Sequence, residues 1–64
     1  MYKFIGEFSE LEKLGFIKNK YGDYYFLPTH GNHNPININI KTREVEYADE
    51  FDLKLIKNWI KRIV

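Results

Sequence analysis

Cysteine is absent from this 64-residue chain, so neither a disulfide framework nor a thiolate zinc site can brace it. Serine occurs once, at Ser9, which leaves a single position for a serine nucleophile. Neither sign of charge is in excess: ten basic and nine acidic residues give a net charge of +1. That balance argues against an acidic DNA mimic and supplies no global basic field for nucleic acid. Apolar runs fall well short of the roughly eighteen residues that cross a bilayer, and residues 1–5 lack the apolar core of a signal peptide. Gly6, Gly15, Gly22 and Gly31 show no phosphate-loop spacing. These absences predict a soluble, cytoplasmic protein with no membrane contact and no cofactor.

What the chain does have is large apolar side chains: eight Ile, five Leu, two Val, five Phe, five Tyr and one Trp. At this length they make one domain, 1–64, near the lower limit for a core without covalent or metal braces. Such a domain packs very efficiently or buries part of its apolar surface against another chain.

The clearest pattern is Ile36 to Tyr47. Ile36, Ile38 and Ile40 alternate with Asn37, Asn39 and Lys41, and Val45 and Tyr47 alternate with Glu44 and Glu46. Period-two alternation of β-branched and aromatic residues marks strands with one buried and one wet face. A four-residue loop at 41–44 would set Ile40 opposite Val45 and Ile38 opposite Tyr47, with all large apolar groups on one face.

A second hairpin is expected around Lys20-Tyr21-Gly22-Asp23, with Gly22 left-handed, Ile17 opposite Tyr25 and Phe16 opposite Phe26. Both its faces carry aromatics, so its buried side is open at this level. Ser9 and Glu12 have capping-box spacing, and Gly15 suits a left-handed helix end, which predicts a short helix over 9–14. Tyr2 to Ile5 reads as an edge strand or an ordered lead-in. Residues 28–35, with two prolines, a glycine and two asparagines in addition to two histidines, read as a loop.

The C-terminal stretch reads as an amphipathic α-helix capped by Asp52. At 100° per residue its apolar arc runs through about 220°, more than one sheet can cover. The sheet would take Phe51, Leu55, Trp59 and Ile63, leaving Leu53, Ile56, Ile60 and Val64 as a protein interface, most simply a homodimer. Lys54, Lys57 and Lys61 form a basic ridge on its wet side. With Lys18 and the ring of Tyr25 they are the candidate nucleic-acid contacts.

Candidate chemistry is sparse. His30 and His33 have His-x-x-His spacing but no third ligand nearby, so no metal site is expected. No nucleophile, base and orienting group come together, so no enzyme activity is expected. The acids from Glu44 to Asp52 look like a cation patch, but Asp49, Glu50 and Asp52 sit where the positive end of the last helix would attract them.

The run Leu11-Glu12-Lys13-Leu14-Gly15-Phe16, with the order helix, hairpin, strand, helix, resembles HicA-type RNA-cleaving toxins of double-stranded-RNA-binding-like fold. That family carries a catalytic histidine after a Gly-Ser pair, where this chain reads Gly22-Asp23-Tyr24. The expected strand at 44–47 is also extra to the pattern, so the activity is not carried over.

The reading is an α+β domain: a sheet of about four antiparallel strands in two hairpins, packed against a C-terminal amphipathic helix and a short N-terminal one. Its expected role is a non-catalytic interaction module that self-associates and binds protein, in the manner of a small inhibitor or accessory protein of a phage or other mobile element. Nucleic-acid binding is the alternative and small-molecule binding a further one.

Overall fold

In the computed structural model, which describes residues 1–28 and 35–63, the elements follow in the order β1 (Tyr2–Phe4), α1 (Phe8–Lys13), β2 (Ile17–Lys18), β3 (Tyr24–Phe26), β4 (Ile36–Asn39), β5 (Glu44–Tyr47), a 3-10 helix (Glu50–Trp59) and β6 (Ile60–Arg62). The strands form one open antiparallel sheet in the order β2-β3-β4-β5-β1-β6. The α+β class is as the sequence predicts. The sheet is wider, and the last element differs in kind.

The alternation in residues 36–47 does fold as a hairpin, but its four-residue loop lies one position earlier, at 40–43. Ile36 therefore faces Tyr47 and Ile38 faces Val45, a shift of two from the expected register. A shift of two keeps every apolar side chain on its face, so the pattern alone cannot detect it. The turn decides it. Asn39 Oδ1 accepts from the backbone N–H groups of Lys41 and Thr42, both at 2.9 Å. Arg43 then takes a left-handed φ of 65° and its N–H returns to Asn39 O at 2.8 Å. Asparagine supports such a turn because its side chain imitates a backbone acceptor.

The β2–β3 hairpin is also displaced, by one residue: Ile17 pairs with Phe26 and Lys18 with Tyr25. Asn19 Oδ1 accepts from the N–H groups of Asp23 and Tyr24, at 2.9 and 3.1 Å, and its amide donates to Asp23 Oδ1. Gly22 is left-handed at φ 72°, as expected. This register settles which rings are buried: Tyr25 lies inside, while Tyr24 and Phe26 point away from the helices.

Helix α1 starts one residue before the predicted one, with Glu7 at the cap position and no side-chain cap bond. Ser9 is not the cap. Phe8 is drawn into the first turn because its ring stacks between Phe4 and Tyr25, at centroid distances of 5.7 and 5.4 Å. Gly15, at φ 99°, ends the helix as expected, and Phe16 N–H donates back to Leu11 O at 2.9 Å. Arg43 closes the ring stack. Its guanidinium lies 4.5 Å from the Phe8 centroid and donates to the carbonyls of Gly6 and Phe4 at 2.8 and 3.3 Å.

The predicted C-terminal α-helix is corrected. Residues 50–59 form a 3-10 helix, kinked at Ile56 (φ −119°, ψ 18°), and the chain then leaves as strand β6. Asp49, not Asp52, caps it by accepting the Phe51 N–H at 2.9 Å. The physical reason lies in the spacing. At about three residues per turn, Leu53 and Ile56 eclipse ahead of the kink, and Trp59 follows at the same spacing beyond it. Leu53 and Ile56 are buried and Trp59 is half-buried, so this row is the covering face. Ile60 then pairs with Phe4, Lys61 with Lys3 and Arg62 with Tyr2, which gives β1 a second neighbour. β-branched Ile60 and Ile63 suit such an edge.

The core consists of Phe4, Leu11, Phe16, Tyr25, Ile36, Ile38, Val45, Leu53 and Ile56. It lies between the sheet and a layer made of α1 and the 3-10 helix. Each large side chain removed from water there contributes about 1.5–3 kcal/mol. Gly6 permits the closest approach in this layer: a Cβ there would come within 3.0 Å of three side-chain atoms of Trp59.

Candidate functional site

The strand alternation that fills the core also fixes what lies on the opposite face of the sheet. The backbone pairings line up Ile17, Phe26, Asn37 and Glu46 in one row, and Tyr24 beside Asn39 in the next. Lys3 follows on β1, across from Glu44 and from Lys61. None of these residues is buried, and among the described residues no helix covers this face.

Antiparallel sheets commonly leave one face wet, and that face is then polar. Here it is only partly so. Ile17 is 49% exposed, and the half-exposed rings of Tyr24 and Phe26 lie 6.0 Å apart at 55°. Beside them is a depression of about 300 Å³ lined by Tyr24, Asn37, Asn39 and Glu46. Asn39 uses its Oδ1 on the turn and keeps its amide N–H groups. Asn37 and Glu46 sit directly opposite each other, and neither side chain has a hydrogen-bond or ion-pair partner among the described residues. The depression thus presents a ring edge or face, a free carboxamide and a free carboxylate on rigid strands.

A second depression, of about 370 Å³, lies on the helical side between Leu27, Phe51, Asp52, Lys54 and Leu55. Phe51 is 69% exposed there, with the Lys54 ammonium 4.7 Å from its ring centroid. This patch adjoins the chain entering residues 29–34, which are outside the described residues.

The residues singled out from the sequence are dispersed. Leu53 and Ile56 are buried in the chain's own core, Ile60 is half-buried in β6, and Val64 lies outside the described residues. The α-helical face that would have joined them does not form. Of the lysine ridge, Lys54 and Lys57 belong to the 3-10 helix and Lys61 to β6, while Lys18 is in β2. Tyr25 is unavailable for base stacking, because it is buried with its hydroxyl donating to Glu12 Oε1 at 2.9 Å. Burial first, and the Glu12 carboxylate second, raise that hydroxyl above its usual 10.0. His30 and His33 lie outside the described residues. Among the described ones, no group of three or more His, Asp or Glu could hold a metal ion, and no helix could cross a membrane.

The sequence reading passed over Tyr24, Asn37, Asn39 and Glu46. The polar half of an alternating strand reads as ordinary wet surface. The available signal was the pair of aromatics on both sides of the β3 alternation, Tyr24 and Phe26 against Tyr25. Comparison with protein-family models, with curated proteins and with solved structures finds no match to this chain.

Proposed function

We propose that the protein is a non-catalytic module that binds a protein partner through the open face of its sheet. The observation that supports this reading is the composition of that face. Exposed Ile17 and the part-buried rings of Tyr24 and Phe26 form an apolar and aromatic strip, and carboxamides and charged groups surround it. An aromatic centre with a polar rim is the composition of protein-recognition patches, where rings supply most of the affinity. Phosphate recognition would need cations beside the rings. The nearest lining charge is instead the carboxylate of Glu46.

The test is photocrosslinking in a lysate of the source organism, with a photoreactive phenylalanine analogue placed at position 26 or at position 51. Crosslinked protein from position 26 and none from position 51 is the expected result. The reverse pattern would move the site to the helical side.

Self-association is a second reading, and it now rests on a different place. Met1, Ile5 and Ile63 are 58%, 59% and 41% exposed at the β1–β6 side of the sheet. Sedimentation across a dilution series into the low micromolar range, with Ile5→Glu as the variant, tests it. A wild type that remains monomeric throughout removes this reading.

A further inference from the structure

We infer that the depression between Tyr24, Asn37, Asn39 and Glu46 is a receptor for an arginine side chain of the partner. This rests on the reading of the open sheet face as a protein-binding surface.

A guanidinium is a flat cation with donors along its edge and a face that stacks on rings. The depression offers the complement of each property. Tyr24 supplies a half-exposed ring, on which a cation gains from the ring quadrupole. Glu46 supplies two carboxylate oxygens, the geometry that receives two parallel N–H donors. Asn37, directly opposite Glu46, adds an amide oxygen that no described group uses. The Asn39 amide keeps donors that suit the backbone carbonyl beside the incoming side chain, because its own oxygen is held by the turn. All four residues stand on β3, β4 and β5. These are inner strands of the sheet, so the backbone positions that carry the groups are fixed before the ligand arrives.

Charge selects among occupants. Among the described residues no cationic side chain lines the depression, which disfavours phosphate and carboxylate ligands. A neutral polyol would gain nothing from the charge of Glu46. Lysine would reach the carboxylate, but as a compact ion it gives up both the bidentate fork and the stacking.

The probe is the peptide acetyl-Gly-Gly-Arg-Gly-Gly-amide, titrated into the isotope-labelled protein and followed by NMR. Expected are shifts of the Asn37 and Asn39 side-chain amides and of the Tyr24 ring. The same peptide with citrulline, uncharged but nearly isosteric, should bind about tenfold more weakly or worse, and the lysine peptide should fall between them. Glu46→Gln should abolish the preference for arginine over citrulline, while Glu7→Gln, at the cap position of α1, leaves it intact. Equal binding of the arginine and citrulline peptides would overturn the inference. So would an unchanged preference in Glu46→Gln, or saturation of the same signals by a single-stranded RNA oligonucleotide. The failures separate cleanly: crosslinking from position 26 together with equal binding of the arginine and citrulline peptides sinks the arginine receptor and spares the protein-binding face. Loss of crosslinking from position 26 in the wild type sinks both.

Discussion

Strand β4 carries Ile36 and Ile38 on one side and Asn37 and Asn39 on the other, and the two sides meet different fates. Ile36 and Ile38 are fully buried under Leu11, Leu53 and Ile56, in a layer sealed by the Phe4–Phe8–Tyr25 ring stack and the Arg43 guanidinium. Asn37 and Asn39 face outward with Tyr24, Phe26 and Glu46, where the described residues supply no cover. Both faces carry aromatic rings. On the covered face every ring has packing partners, whereas on the open face two rings and a carboxylate keep unused surface. The core lies on one side of the sheet, and the proposed recognition surface lies on the other.

Substitutions can break this contrast in order of size. Ile38→Ala, on the covered face, should lose about 2–5 kcal/mol in chemical denaturation, enough to leave a domain of this size barely folded. If it loses under about 1 kcal/mol, the core is not where these contacts put it. Gly6→Ala should lose about 1–3 kcal/mol, because the added methyl runs into Trp59. Repeating it in a Trp59→Leu background should relieve most of that loss. An equal loss in both backgrounds would point to the backbone instead.

Tyr25→Phe comes next, at about 1 kcal/mol for the bond to Glu12. It also carries a pH signature. The folded hydroxyl holds its proton above the usual 10.0, so in alkaline solution the folded state binds the extra proton. Stability therefore falls as pH rises past about 10, and below that value Tyr25 contributes no pH dependence. Melting curves from about pH 8 to about pH 11, which bracket the tyrosine range, should show this component in wild type and lose it in Tyr25→Phe. Smallest of all, Tyr24→Ala and Phe26→Ala should each change stability by only about 0.5 kcal/mol.

Half of the molecule was legible in its residues. The Ile/Asn alternation gave a strand pair with its correct buried face, and Gly15 and Gly22 marked their left-handed turns. Registers were not legible, because the closing forces come from Asn19 and Asn39, whose side chains satisfy turn N–H groups that alternation does not weigh. Strand β6 was hidden for a different reason. Residues 53–64 are amphipathic at helical spacing, and only the presence of β1 as a pairing partner turns Ile60–Arg62 into a strand. The row Leu53, Ile56, Trp59 at spacing three was the visible hint of the 3-10 helix. The candidate site stayed hidden because Asn37 and Glu46 acquire meaning only when the pairing sets them opposite each other, beside Tyr24.

The measurement that bears most directly on the division between the two faces is calorimetry with the crosslinked partner, once purified. Wild type would be compared with the Tyr24→Ala/Phe26→Ala double variant, after matching melting temperatures confirm that both are folded. The predicted result is loss of binding by about a hundredfold or more, as expected for two ring anchors at the centre of an interface. Unchanged affinity in that variant, with loss in Phe51→Ser/Leu55→Ser, would contradict the assignment of recognition to the open sheet face.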